Sequence, residues 1–143
     1  MLFRSASETL LRAKAADGVA YAELRWGPAL HTAKGLSLRE VIAAVAAGAS
    51  AAYAATGIEV RLIATAIRSH DRATNRAVAA AAVGSRDLGV VAFDLADREA
   101  AHPDPMEFAD AFEIARDGGL AITLHAGEWG GAPQVRRALE VRP

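Results

Sequence analysis

Short apolar segments alternate with longer amphipathic or alanine-rich segments along the chain. The short segments are rich in Val, Ile, Leu and Ala, as strands buried in a sheet are. The longer segments space their apolar residues as helices do. We predict strands at residues 19–26, 58–67, 89–95 and 120–124, and helices at residues 5–16, 38–56, 72–83, 106–116 and 133–139.

Residues typical of helix ends support two of the predicted helices. Ser37 and Glu40 match a capping box at the start of the second helix, and Gly57 is placed to end it. The first helix is expected to be capped by Ser5 or Ser7. The many alanines of the second helix predict close packing against a neighbouring element.

The strict alternation of helix and strand predicts a single α/β domain over residues 1–143, with a parallel sheet and right-handed crossovers. Two architectures fit this pattern: an open doubly wound sheet, and part of a (β/α)₈ barrel. No glycine-rich phosphate-binding motif follows any predicted strand, which disfavours a nucleotide-phosphate fold. Residues 1–5 have a second interpretation as an artefact, because residues 2–5 match the translated end of a common sequencing adapter.

The composition excludes several classes of function. The chain has 143 residues, 52% of them hydrophobic, and a net charge of −1. We therefore expect a folded domain without the basic surface of a nucleic-acid-binding protein. There is no cysteine, so any metal site must use histidine and carboxylate ligands. No apolar run reaches the ~18 residues of a membrane span, and no signal-peptide pattern is present, which predicts a cytoplasmic protein without a membrane partner.

The clearest candidate for chemistry is the segment I-T-L-H-A-G-E-W-G-G at residues 122–131. It places His125 at the carboxyl end of the fourth predicted strand and Glu128 three residues later, at the edge where α/β folds have their active sites. A histidine can bind a divalent metal, and a glutamate can transfer protons. The structural alternative is a half-buried histidine followed by a glutamate near a helix start. Polar side chains also follow the other strands: Arg25 and His31, then Arg68, His70 and Asp71, then Asp94, Asp97 and Glu99.

Four ordered segments of the chain carry a family pattern. They are Y-A-E-L-R-W-G-P-A-L-H at 21–31, G-I-E-V-R-L-I at 57–63, V-V-A-F-D-L-A-D-R-E at 90–99 and L-H-A-G-E-W-G-G at 124–131. In order and spacing these segments resemble the adenosine deaminase family, over residues 19–139. The resemblance implies an α/β fold that is a partial (β/α)₈ TIM barrel. It implies an internal fragment with the second to fifth βα units, about four parallel strands alternating with helices.

The resemblance implies a zinc-dependent hydrolase that converts adenosine, or a related 6-aminopurine, to inosine and ammonia by attack of metal-bound hydroxide at C6. It implies one Zn²⁺ per complete barrel, with His125 as a ligand and the other ligands outside this chain. It also implies that Glu128 is the catalytic acid that protonates purine N1, which requires a raised pKa in a dry pocket. The implied partner is a small-molecule purine nucleoside, and the oligomeric state stays open. We expect the fragment alone to be inactive.

Asp97 departs from the family pattern, because D-L-A-D at 94–97 stands where the family has D-L-A-G. The family's glycine belongs to the substrate-binding site, where its backbone N–H approaches the purine. An aspartate at this position adds bulk and charge. Either the loop differs, or the substrate is adenine or a modified adenosine, or the residue is a sequence error. Asp97 and the missing ligands support an alternative function, a non-catalytic or degenerate barrel piece that acts as a binding module.

Overall fold

The computed structural model describes residues 2–143. Within these residues a single parallel sheet contains four strands, in the order β1-β2-β3-β4. The strand bounds are β1 Tyr21–Trp26, β2 Glu59–Ile67, β3 Val90–Ala96 and β4 Ala121–Ile122. The helices are α1 Leu2–Ala16, α2 Leu38–Thr56, α3 Arg72–Val83, α4 Ala109–Asp117 and α5 Ala132–Ala138. Short 3₁₀ helices occur at Pro28–His31, Arg86–Leu88, Pro105–Phe108 and Leu139–Val141.

The strand order decides between the two predicted architectures. Each strand pairs in parallel with the next one along the chain. A doubly wound sheet reverses its strand order part-way, whereas a barrel keeps the order of the chain. Right-handed crossovers that all step in one direction place every helix on the same face of the sheet. The four strands therefore have the topology of a barrel segment, as the predicted partial (β/α)₈ barrel requires.

The hydrophobic core lies between the sheet and its helices. Leu62, Phe93 and Leu95 point from β2 and β3 into this layer and are at most 2% exposed. The Phe93 ring packs edge-on against the ring of Phe112 on α4, with centroids 5.7 Å apart and an interplanar angle of 81°. Successive side chains of a strand point to opposite faces. The residues between these core positions therefore line the other face of the sheet.

That other face carries polar side chains toward the carboxyl ends of the strands. Thr65 of β2 lies in register with Asp94 of β3, and Arg25 of β1 reaches the same carboxylate. The pairing with β3 continues beyond the end of β4, because the backbone N–H of His125 donates to the carbonyl of Leu95 at 2.9 Å. The sheet thereby brings polar residues from four successive strands to one edge.

Helix α2 confirms the predicted capping box. The Ser37 hydroxyl accepts from the Glu40 N–H, and the Glu40 carboxylate accepts from the Ser37 N–H at 2.8 Å. Gly57 ends the helix with φ 77°, a backbone conformation that glycine adopts without strain. The boundaries at Ser37 and Gly57 thus follow from local chemistry.

Helix α2 is also the only helix among residues 2–143 that is long and apolar enough to cross a membrane by length and composition. In this fold it packs within the core, where Val41, Ile42 and Ala52 are fully buried. At Gly48 it approaches α1 so closely that an added Cβ would lie 2.4 Å from the carbonyl oxygen of Arg4. The predicted close packing of α2 is therefore confirmed.

The predicted capping of the first helix is wrong. Helix α1 begins at Leu2, so neither Ser5 nor Ser7 lies at its start. The buried Ser7 hydroxyl instead donates to the carbonyl of Phe3 at 2.9 Å inside the helix. A serine within a helix can bond to a preceding carbonyl as readily as it caps a terminus, and the local pattern does not distinguish the two.

Two further elements differ from their predicted extents. The fourth strand shortens to Ala121–Ile122, although the chain stays beside β3 as far as His125. The predicted helix at 106–116 begins as the 3₁₀ helix Pro105–Phe108, because the Asp104 carboxylate accepts from the Met106 N–H at 2.9 Å and sets a tight first turn. Both differences lie in the part of the chain that leads to the candidate site.

Candidate active site

Asp94 is the centre of the polar cluster at the strand ends. Its side chain is fully buried, and its Oδ2 lies 3.1 Å from His125 Nδ1. Arg25 Nε is 3.7 Å from the same oxygen, and the Thr65 hydroxyl donates to it at 3.4 Å. Strands β1, β2 and β3 and the segment after β4 each contribute one of these side chains. The carboxylate therefore fixes the orientation of the His125 ring.

The electrostatics of this cluster are dominated by burial. Burial raises the pKa of the Asp94 carboxyl above its ordinary value, while the nearby His125 and Arg25 act in the opposite direction. Asp94 Oδ1 is buried and has no hydrogen-bond partner within residues 2–143. Because buried polar atoms are rarely left unpaired, we expect a group from outside residues 2–143 to bond to this oxygen.

His125 has the geometry of a metal-binding histidine. Its Nδ1 faces Asp94, which leaves Nε2 as the ring nitrogen for a metal ion. A carboxylate behind the ring sets the tautomer and makes the ligating nitrogen more basic. The His125 side chain is 42% exposed, so its free edge is open to the mouth of the sheet. The predicted metal role of His125 is therefore compatible with its surroundings.

A complete metal site is not formed by residues 2–143. Within residues 2–143, no group of three or more His, Asp and Glu side chains is arranged to hold a metal ion. His31 ends the 3₁₀ helix Pro28–His31 and packs its ring on Phe3, with centroids 4.5 Å apart. His70 and His102 lie in loops, and His102 is 4.0 Å from the Glu107 carboxylate. The geometry thus offers one ligand with its supporting carboxylate.

Glu128 lies in the turn that follows His125, and its side chain is exposed. The dry pocket that its predicted role as an acid requires is therefore not built by residues 2–143. Gly127 in this turn adopts φ 81°, and an added Cβ would meet Val135 Cγ2 at 2.6 Å, so the position favours glycine. The turn presents Glu128 at the same edge of the sheet as His125.

Two buried charged residues hold this turn, and the sequence assigned neither of them a role. The Glu99 carboxylate, 3% exposed, accepts from the backbone N–H groups of Gly127 and Trp129. The Arg68 guanidinium, 1% exposed, donates from Nη2 to the carbonyl of His125 at 3.0 Å. The sequence pointed to these two residues only by placing them after buried strands. A charge at the end of a buried strand requires a partner, and that requirement was the available signal.

The structure shows how the aspartate at position 97 is accommodated, and its effect on purine binding stays a prediction. Asp97 adopts φ 91°, so it keeps a conformation that glycine favours. Its carboxylate accepts from the backbone N–H of Ser69 at 3.2 Å and from the Ser69 hydroxyl. The bond from the Ser69 hydroxyl lowers the pKa of the Asp97 carboxyl below its ordinary value. The added side chain is thereby bonded to the loop after β2.

Comparison with known proteins decides the family. Residues 2–142 match the family model described as adenosine deaminase. The chain belongs to the adenosine deaminase family. It is 45% identical over 130 residues to the adenosine deaminase of Mycobacterium ulcerans. The match covers 87% of this chain and 35% of that protein. Over 130 residues it is 46% identical to the adenosine deaminase of Mycobacterium leprae.

Solved structures of adenosine deaminase-like proteins share the fold. A zinc-bound amidohydrolase from Burkholderia ambifaria superposes with a TM-score of 0.90 at 28% identity, over 97% of this chain and 38% of that one. An adenine deaminase from Arthrobacter aurescens superposes with a TM-score of 0.86 at 27% identity, and it is matched over 42% of its length. An N6-methyl-AMP deaminase from Arabidopsis superposes with a TM-score of 0.84 at 27% identity, and it is matched over 44% of its length.

These matches confirm the predicted fold class and the hydrolase family. The chain spans about a third of the length of the curated relatives it matches, 35% for the M. ulcerans protein. Its four strands correspond to part of a barrel of the adenosine deaminase family. The residues that line the mouth of this part are Arg25, Thr65, Asp94, Asp97, His125 and Glu128.

Proposed function

We propose that this chain supplies part of the active site of a zinc-dependent aminohydrolase, which converts adenosine or a related 6-aminopurine to the 6-oxo product and ammonia. The observation that carries the proposal is the His125–Asp94 pair at 3.1 Å. Membership of the adenosine deaminase family supports the reaction class. The zinc bound to the Burkholderia amidohydrolase supports the choice of metal.

The residues present fit a role in holding zinc. His125 would bind the ion through Nε2, and Asp94 would orient the ring through its bond to Nδ1. The unpaired buried oxygen of Asp94 supports a site that further groups complete. When bound, zinc supplies Lewis-acid chemistry that makes a nucleophile available from water near neutral pH. The remaining ligands would come from outside residues 2–143.

Glu128 would act on the purine as a general acid. Addition of a nucleophile at C6 places negative charge on N1, and a protonated carboxyl group can neutralise that charge by donating its proton. In this role Glu128 holds a proton until substrate binds, which requires that the rest of the barrel bury it. Its place in the turn after His125 supports this division of roles between the two residues.

The test requires a complete barrel that carries this segment. We define the grafted barrel as the M. ulcerans adenosine deaminase in which the stretch matched over 130 residues is replaced by the corresponding part of this chain. Ammonia release from adenosine, adenine and N6-methyl-AMP would be measured with and without zinc. Zinc-dependent release from any one of them supports the proposal and identifies the substrate. A folded grafted barrel that binds these purines and releases no ammonia would favour the non-catalytic binding module.

The chain by itself should not deaminate adenosine. His125 and Asp94 provide one ligand and its support, whereas a catalytic zinc site needs about three protein ligands. The measurement is inosine formation by liquid chromatography, with added zinc and at the same molar concentration as the grafted barrel. Zinc-dependent inosine formation by the isolated chain would contradict this prediction.

Asp97→Gly in the grafted barrel should change kcat/KM for adenosine by less than about tenfold, the size of one hydrogen bond. The carboxylate is bonded to Ser69, and the backbone already has a conformation suited to glycine. The melting temperature should change little, because loss of the Ser69 bonds is offset by relief of the positive φ.

Asp97→Asn is the matched control for Asp97→Gly, since it keeps the Cβ and an acceptor for Ser69 while it removes the charge. An increase of tenfold or more in adenosine turnover by the glycine variant would show that Asp97 obstructs an adenosine site. Loss of turnover on adenine or N6-methyl-AMP alone would show that Asp97 serves that substrate.

A further inference from the structure

Glu99 lies beneath the turn at residues 126–130, in a position that no step of the proposed reaction uses. Its side chain is 3% exposed. Oε1 accepts from the Gly127 N–H at 2.7 Å, and Oε2 accepts from Trp129 at 2.9 Å and from Gly130 at 3.4 Å. One carboxylate therefore binds three backbone N–H groups on both sides of Glu128.

These hydrogen bonds explain how the Glu99 carboxylate can be both buried and ionised. Burial opposes ionisation of Glu99, but the backbone N–H groups of Trp129 and Gly127 outweigh it, so the pKa of Glu99 lies below its ordinary value. The nearby Arg68 guanidinium acts in the same direction. Hydrogen bonds to an ionised acceptor are roughly twice as strong as neutral ones. The ionised Glu99 is therefore a strong anchor for the turn.

The turn is also held at its other end. Arg68 donates to the carbonyl of His125, the residue just before the turn. Between the two anchors, Gly127 adopts φ 81°, a conformation that favours glycine. The backbone of residues 125–130 is thus fixed by two buried charges that come from other strand ends.

We propose that Glu99 is a positioning residue for Glu128: it binds the turn on both sides of that acid and sets its place beside His125. This inference rests on the proposed function, because it assigns Glu99 an effect on proton donation. Glu99 acts through the backbone and does not touch the purine. A misplacement of about 1 Å can cost about 10²-fold in rate, so a side chain that sets such a position affects turnover.

The experiment is a double-mutant cycle in the grafted barrel with Glu99→Gln, Glu128→Gln and both together. Glutamine keeps the shape of the side chain but turns an N–H₂ group toward one of the backbone N–H donors. We expect Glu99→Gln to lower kcat by roughly 10- to 100-fold with zinc content unchanged. In the Glu128→Gln background the same change should cost less than about twofold, because the acid it positions is already gone.

The control variant is Glu113→Gln, an exposed carboxylate on α4, which should leave kcat unchanged. Multiplicative effects of the two substitutions on kcat would overturn the proposal, since Glu99 would then act independently of Glu128. If Glu99→Gln does not fold, Glu99→Asp keeps the charge, shortens the reach of both oxygens and enters the same cycle.

Hydrogen exchange separates this inference from the proposed function. In the Glu99→Gln grafted barrel, the amides of Gly127, Trp129 and Gly130 should exchange faster than in the parent, with amides of β2 unchanged. If the grafted barrel releases no ammonia, the proposed function fails, and faster exchange still supports the anchoring of the turn by Glu99. Unchanged exchange at these three amides overturns the inference whether or not the enzyme is active.

Discussion

Replacing Glu128 with glutamine in the grafted barrel should lower kcat for adenosine by about 10²–10⁴-fold and leave zinc bound. Glutamine is nearly isosteric and can still form hydrogen bonds, but it has no acidic proton to give to purine N1. The turn around Glu128 is held by backbone contacts to Glu99, and these do not involve the Glu128 side chain. The substitution should therefore remove the chemistry without disturbing the turn.

The Glu128→Gln prediction is checked by steady-state kinetics together with the zinc content measured by elemental analysis. Glu113→Gln, exposed on α4, serves as the carboxylate-to-amide control and should keep parental activity. KM should change much less than kcat, because an interaction made only in the transition state is lost. A variant with near-parental kcat would remove Glu128 from the role of acid.

Replacing His125 with alanine should abolish zinc binding, and activity should be lost as a consequence. His125 is the ring that the buried Asp94 holds at 3.1 Å, and alanine has no group that can bind a metal ion. Asp94→Asn should be milder and weaken zinc affinity about 10- to 100-fold, as is typical for a group that orients a ligand. A larger loss of zinc affinity in His125→Ala than in Asp94→Asn distinguishes the zinc ligand from the residue that orients it.

For the His125 series the measurement is zinc affinity, obtained by competition with a chelator. His102→Ala is the matched control, because His102 lies in a loop and its Nδ1 is 4.0 Å from the exposed Glu107 carboxylate. Activity of His125→Ala should not return at zinc concentrations that saturate the parent. If Glu128→Gln lost zinc while His125→Ala kept it, the assignments of ligand and acid would be reversed.

The helices and strands were largely predictable because their signals are local. The capping box at Ser37 and the stop at Gly57 lie within or next to the helix that they bound, and both are confirmed. Predictions of helix starts were wrong where the same local pattern is compatible with two structures. Ser7 donates within α1 instead of capping it, and Asp104 sets a 3₁₀ turn where an α-helix was expected.

The sequence by itself determined the alternation of elements, the family segments and the two residues proposed for chemistry, His125 and Glu128. Each of these follows from neighbours within a few positions, either through a periodicity or through a motif.

Only the tertiary structure decided which side chains support those two residues. Glu99 reaches Gly127 across 28 positions, and Arg68 reaches the His125 carbonyl across 57. No local period encodes such contacts. They form because parallel strands of a barrel bring their carboxyl ends to one edge, where buried charges must find hydrogen-bond partners.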